Sequence, residues 1–165
     1  YDGTIYFTKR FFQRYDRTID QMVQAARSGK QNIVEASMAS GTSKEMEIKL
    51  TNVARASLEE LKIDYQDFLR TNKLPIWDIN HRLTIRFREL NKTPNATYAT
   101  YQKAIEHEQP EICANSMICL INIVSYLLSQ QIKSLEKAFM NEGGLKERMT
   151  KARLEIRNKK PPTLR

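Results

Sequence analysis

Apolar side chains recur every three or four residues through most of this chain, and what interrupts each run marks where it starts and stops. Phe7, Phe11 and Tyr15 lie four apart, with Phe12 beside them and Lys9, Arg10 and Arg14 elsewhere, which predicts an amphipathic helix over Ile5 to Tyr15. A second helix runs through Met22, Ala25, Ala26, Gly29, Ile33 and Ala36, with Asp16 or Thr18 as its cap and an end near Gly41. Gly29 costs that helix about 1 kcal/mol relative to alanine, which a close helix crossing would justify. Ser43, followed by Met46 and Glu47, opens a third helix. Its seam, from Leu50 through Val53, Ala54, Ser57, Leu58, Leu61, Tyr65, Phe68 and Leu69, is sustained to about Arg70. Lys73-Leu74-Pro75 ends it, because proline excludes the α conformation from the residue before it.

The pattern is less regular after Pro75. Ile79, Leu83, Phe87 and Leu90 fit a short helix between Trp77 and Leu90, while Leu83, Ile85 and Phe87 also alternate as a strand would; the helix is the preferred reading. A turn follows at Thr93-Pro94-Asn95, then a further helical segment from Tyr98 to Glu106. Pro110 suits the first position of the last long helix, where its missing N–H would be unpaired anyway. That helix is apolar on nearly all sides from Ile112 to Leu128, and the stripe then narrows to Ile132, Leu135 and Phe139. Gly143-Gly144 stops or bends it, and Leu145 to Arg157 continues as a helix with Leu145, Met149, Ala152 and Ile156 on one face. Lys159-Lys160-Pro161-Pro162 reads as a frayed tail.

Composition agrees with an all-α chain. Only five glycines and five prolines are present among 165 residues, too few for a fold built on many tight turns. The most apolar stretch, Met117 to Leu128, carries Asn122, Ser125 and Tyr126 and falls short of the roughly 20 residues a membrane span needs, so a buried core helix is expected and no membrane partner. Cys113 and Cys119 fall on different sides of that helix and read as free, buried thiols of a reducing compartment. No secretory signal is visible, so the expected location is cytoplasmic, although a chain beginning at Tyr1 leaves its natural N-terminus open.

The two histidines, His81 and His107, have no glutamate three positions before them, so a di-metal bundle site is not expected. Neither accompanies a nucleophile motif, and no phosphate-binding or dinucleotide fingerprint occurs. The expectation is a non-enzyme without catalytic residues, metal or cofactor.

Charge is unevenly distributed. Eight basic and two acidic residues lie between Lys146 and Arg165, so six of the eight net positive charges belong to this C-terminal stretch and the rest of the chain is nearly neutral. Lys146, Arg148, Lys151, Arg153, Arg157, Lys159 and Lys160 form a candidate phosphate-binding arm, since each cation paired with a phosphate releases a condensed counterion. A solvated helix with Glu147-Lys151 pairing is the plain alternative. Arg82 and Arg86, with Arg88 and Lys92, make a second basic candidate, and neither patch has the aromatic interleaving expected of a single-strand stacking platform.

Gln21, Ala25-Ala26, Ser28, the Asn-Ile-x-Glu of Asn32, Ile33 and Glu35, and Ala54-Arg55-x-Ser57-Leu58-x-Glu60-Leu61 together carry a resemblance. Over roughly Tyr6 to Leu74 and the helix after Pro110, the chain resembles the four-helix-bundle proteins encoded in intervening sequences of bacterial large-subunit ribosomal RNA genes. A sister branch is similar to the small basic accessory protein of diversity-generating retroelements. Gly29-Lys30 stands where the family usually has Ile-Pro, and Ala36 where a glycine is usual.

The resemblance implies an up-and-down four-helix bundle over 1–142, with an irregular insertion at about 73–109, followed by a basic helical extension over 143–165. It implies a homo-oligomer, a pentamer in the sister branch, in which five copies would carry a charge of about +40. It also implies contact with nucleic acid, RNA in the first place, or with a reverse-transcriptase ribonucleoprotein. Arg27 and Lys30 would extend the basic surface or lie on a plain solvated face. Glu35 and Arg55 would meet as an interhelical ion pair completed by Asn32 and Ser57, with a ligand or RNA contact as the other role for Arg55. The competing function is a protein-assembly module with no nucleic-acid role.

Overall fold

The computed structural model describes residues 1–159, and within them the side chains of Glu142, Lys146, Asn158 and Lys159 lie outside the description. The expected frayed tail from Lys160 onward therefore falls outside the described residues. Among the described residues there are seven α-helices and no strand: α1 (Asp2–Phe11), α2 (Arg17–Ala39), α3 (Lys44–Thr71), α4 (Arg82–Leu90), α5 (Tyr98–Ile105), α6 (Pro110–Glu142) and α7 (Leu145–Lys159).

The helix ends follow local chemistry. Asp16 caps α2 by accepting from Thr18 N at 2.9 Å, and hydrogen bonding from the Thr18 side chain and then its backbone holds its carboxyl below the usual carboxylate range, while Ser43 caps α3 by accepting from Met46 N at 3.2 Å. Pro110 opens α6 at its first turn. At the end of α3, Lys73 adopts φ +56°; its N–H donates to Arg70 O at 3.1 Å and that of Leu74 to Leu69 O at 2.8 Å, the paired bonds of a Schellman cap. Gly143, at φ +71°, closes α6 with a 2.9 Å bond to Phe139 O, and Gly144 then donates its N–H to the Glu147 carboxylate at the start of α7.

Helix α3 is the central element, packing most extensively on α2 and next on α6. The α2–α3 crossing is close because Gly29 lacks a side chain: a Cβ there would lie 3.1 Å from Leu58 Cγ and 3.7 Å from the Ala54 carbonyl. Ser28 and Ser57 meet across it, hydroxyl to hydroxyl at 2.8 Å, and Asn32 Nδ2 donates back to Ser28 O at 2.9 Å. The crossing thus satisfies its own polar groups without an ion pair.

The first helix starts and ends earlier than its apolar spacing suggests, over Asp2–Phe11 in place of Ile5 to Tyr15. Phe12 turns extended (φ −109°, ψ 152°), and Tyr15 is left 89% exposed instead of joining Phe7 and Phe11. What remains inserts aromatic rings into the core: the Phe7 centroid lies 4.8 Å from those of both Tyr65 and Phe68, and the Tyr65 hydroxyl donates to Thr4 Oγ1 at 3.1 Å. Burial drives the Tyr65 phenol well above its ordinary range. The rest of the core is built from Met22, Leu61, Leu69, Met117, Ile118 and Ile121.

Both cysteines are free and buried. Cys113 Sγ donates to Ile105 O at 2.8 Å and its thiol is pushed up to about 12 by burial, while Cys119 Sγ donates to Thr84 Oγ1 at 3.7 Å on another side of α6. Although its most apolar stretch is short, α6 over Pro110–Asn141 is long and apolar enough by length and composition to cross a membrane, and half of its apolar window is buried inside the fold.

The segment between α3 and α4 is held by one buried amide. Asn115 Oδ1 accepts from Trp77 N at 2.8 Å, and its Nδ2 donates to Pro75 O and Glu111 O, both at 2.9 Å; Trp77 Nε1 donates to Glu111 Oε1 at 3.2 Å. This anchoring keeps 74–81 out of a helix, so only Arg82–Leu90 of the expected Trp77–Leu90 helix forms. Asn115→Leu should leave two backbone groups without partners, at about 1–3 kcal/mol each. As Trp77 is the only tryptophan, its emission should shift to the red while the far-ultraviolet circular dichroism stays helical; an unshifted emission would contradict the anchoring role.

Candidate nucleic-acid interface

The arm forms a helix. Arg148, Lys151, Arg153 and Arg157 are exposed on α7, with Arg148 and Lys151 on one side of the helix and Arg153 and Arg157 in a second row. Lys146 and Lys159 belong to the same helix but their side chains are outside the description, and Lys160 lies beyond the described residues. Glu147 caps the turn at Gly144, and no ion pair joins it to Lys151 among the described residues. Leu145, Met149, Leu154 and Ile156 of α7 are exposed as well.

The basic residues of α4 and of the turn after it separate into two groups. Arg82 and Arg86 face outward, and Arg86 pairs loosely with Glu89 at 3.5 Å. Arg88 and Lys92 instead line a cleft of about 410 Å³ between α4 and α6, with Phe87, Asn91, Asn122 and Tyr126. The ring of Phe87 stacks on Tyr101 of α5 at 5.8 Å, which fixes the apolar floor. On α2, Arg27 is exposed, and Lys30 Nζ sits 4.9 Å above the Tyr1 ring.

The expected Glu35–Arg55 ion pair is not formed. Ala36 is the residue that α2 buries here, so Glu35, about a quarter-turn round the helix, is exposed and, among the described residues, accepts from Gln31 Nε2 alone, at 3.3 Å. Arg55 lies on the opposite side of α3, toward α6. Its Nη2 donates to Asn52 Oδ1 at 3.3 Å and its Nη1 reaches Ser129 Oγ at 3.5 Å. These residues line a second cleft, of about 430 Å³, with Glu59, Ser125 and Tyr126. Ser125 Oγ is shielded from solvent and has no hydrogen-bond partner among the described residues. Glu59, the cleft's carboxylate, is bound by Lys62.

Tyr126 borders both clefts and is 63% exposed in the middle of the most apolar helix. Its part in this surface is not evident from periodicity, since the helix reads as apolar on nearly all sides. The polar stripe Asn122, Ser125, Tyr126 and Ser129 is the signal that marks it. Among the described residues no group of three or more His, Cys, Asp or Glu side chains could hold a metal ion.

Because both Glu35 and Arg55 are exposed, Arg55→Ala should change the unfolding free energy by no more than about 1 kcal/mol. In a double-mutant cycle with Glu35→Ala the coupling should be nil; a loss near the 3–5 kcal/mol of a broken buried pair would contradict the geometry. Comparison of the chain with protein-family models, with curated proteins and with solved structures found no match in any of the three.

Proposed function

We propose that this is a non-enzymatic, homo-oligomeric protein that binds nucleic acid through basic helical surfaces, with RNA or a reverse-transcriptase ribonucleoprotein as its target. The observation that carries the reading is α7: Arg148, Lys151, Arg153 and Arg157 are exposed along one helix that packs extensively on no other, while the remainder of the chain is nearly neutral. Such a helix attracts a polyanion over longer range than an equal number of dispersed charges. The resemblance to the ribosomal-intervening-sequence proteins supports the oligomer, and a ring of five copies would multiply the effect. An up-and-down four-helix bundle belongs to the same proposal, with α1 as the short fourth member beside α2, α3 and α6, 73–109 as an insertion and 143–165 as an extension.

The exposed Leu145, Met149 and Ile156 favour a second reading, in which α7 docks on a protein. Salt separates the two. In fluorescence-anisotropy titrations with structured RNA, single-stranded DNA and duplex DNA, the logarithm of affinity should fall linearly with the logarithm of salt concentration. Replacing Lys151, Arg153 and Arg157 with Gln should flatten the single-strand slope by about 2. Absence of binding at low salt, or affinity indifferent to salt, would favour the docking module.

A further inference from the structure

We propose that the two clefts on either side of Tyr126 form a site for an unpaired stretch of nucleic acid, one base stacking on the Tyr126 ring while the flanking phosphates meet Arg55 on one side and Arg88 with Lys92 on the other. The inference rests on the nucleic-acid reading above, but moves the specific contact from the arm to the body of the fold. Three features define the site: the position of the ring, the placement of the cations and the polar groups between them.

Tyr126 is the shared wall of both clefts and remains 63% exposed, so one face of a phenol ring is open where a base could lie against it. An exposed aromatic stacks on any unpaired base, because every base has a π-face, whereas a base inside a duplex is already stacked and cannot reach it. The clefts, of about 410 and 430 Å³, are open grooves of a size to admit a nucleotide unit each.

Cations stand on each side of the ring. Arg88, on α4, and Lys92, in the turn just after it, take part in no ion pair among the described residues. Arg55 is held over the second cleft by two long bonds, at 3.3 and 3.5 Å, that leave most of its five donors unused. Glu59 is the carboxylate that would repel a phosphate there, and its salt bridge to Lys62 offsets its charge. A mononucleotide would need cations on one side only; cations on both sides suit a strand that continues past the ring.

The groups nearest the ring are amides and hydroxyls. The Ser125 hydroxyl is shielded from solvent, so the groups open to a ligand are Asn122 and Asn91 in the first cleft and Asn52 in the second. These can exchange donor and acceptor roles with base edges of either kind, so the site should select unpaired structure over sequence. Stacking is also indifferent to the sugar, which leaves RNA and DNA strands as alternatives for the test.

The test uses the full chain with ten-nucleotide single strands of RNA and of DNA, each carrying one 2-aminopurine, and with a ten-base-pair RNA duplex. Wild type should quench the 2-aminopurine on binding, as stacking does. Tyr126→Ala should lose the quenching and weaken single-strand binding by about tenfold while leaving duplex binding unchanged. Tyr126→Phe should restore both, which a role in folding or charge alone would not predict. A Tyr126→Ala protein that is folded by circular dichroism and binds and quenches the single strands like wild type would overturn this site while leaving the arm proposal intact. Wild type that binds no strand or duplex at low salt would overturn both.

Discussion

The close approach of α2 to α3 at Gly29 is the constraint on which the rest of the structure depends. With no Cβ at that position, the side chain of Leu58 and the Ala54 carbonyl can come up to the backbone of α2, and Ser28 and Ser57 can meet at 2.8 Å. That crossing commits one face of α3 to α2 over much of its length. The opposite face is then available to α6, and the groove between α3 and α6 is where Arg55, Asn52 and Ser129 come together. A side chain at position 29 would meet Leu58 Cγ at 3.1 Å, so Leu58 would have to give way for the crossing to stay this close.

The second requirement is that α4 be held against α6. Asn115 ties Trp77 and Pro75 to α6, the stacked pair of Phe87 and Tyr101 joins α4 to α5, and the thiol of Cys119 meets Thr84. A polar group buried in an apolar helix is costly unless fully bonded, and Asn115 uses both ends of its amide. The cleft next to Tyr126 therefore rests on the buried Asn115 together with the Phe87–Tyr101 and Cys119–Thr84 contacts, while the arm beyond Gly144 makes no comparable demand on the core.

Helix starts were legible in the sequence because their chemistry is local: Asp16, Ser43 and Pro110 do at the termini what their spacing predicts, and Gly29 marks a close crossing. Pairing between helices was not. The 3.6-residue period says which face of a helix is apolar, and leaves open which polar residue across the crossing answers which. Glu35 and Arg55 occupy comparable places along neighbouring helices, yet Ala36 takes the buried position and turns Glu35 outward, while Arg55 faces α6. The exposed ring of Tyr126 was hidden for a related reason, since a helix apolar on nearly all sides does not announce which part stays uncovered. In the arm, charge could be counted from sequence, while the capping of α7 by Glu147 depends on backbone geometry at Gly143 and Gly144.

The central claim, that nucleic acid is held by the arm and by the Tyr126 face together, is tested most directly by mapping covalent contacts. A twelve-nucleotide strand substituted with 4-thiouracil would be bound at low salt, irradiated, and the adducts located by peptide mass spectrometry. Adducts are expected in the α6 peptide containing Tyr126 and in peptides of α7. Adducts confined to α2, or none under conditions where the strand is bound, would contradict it.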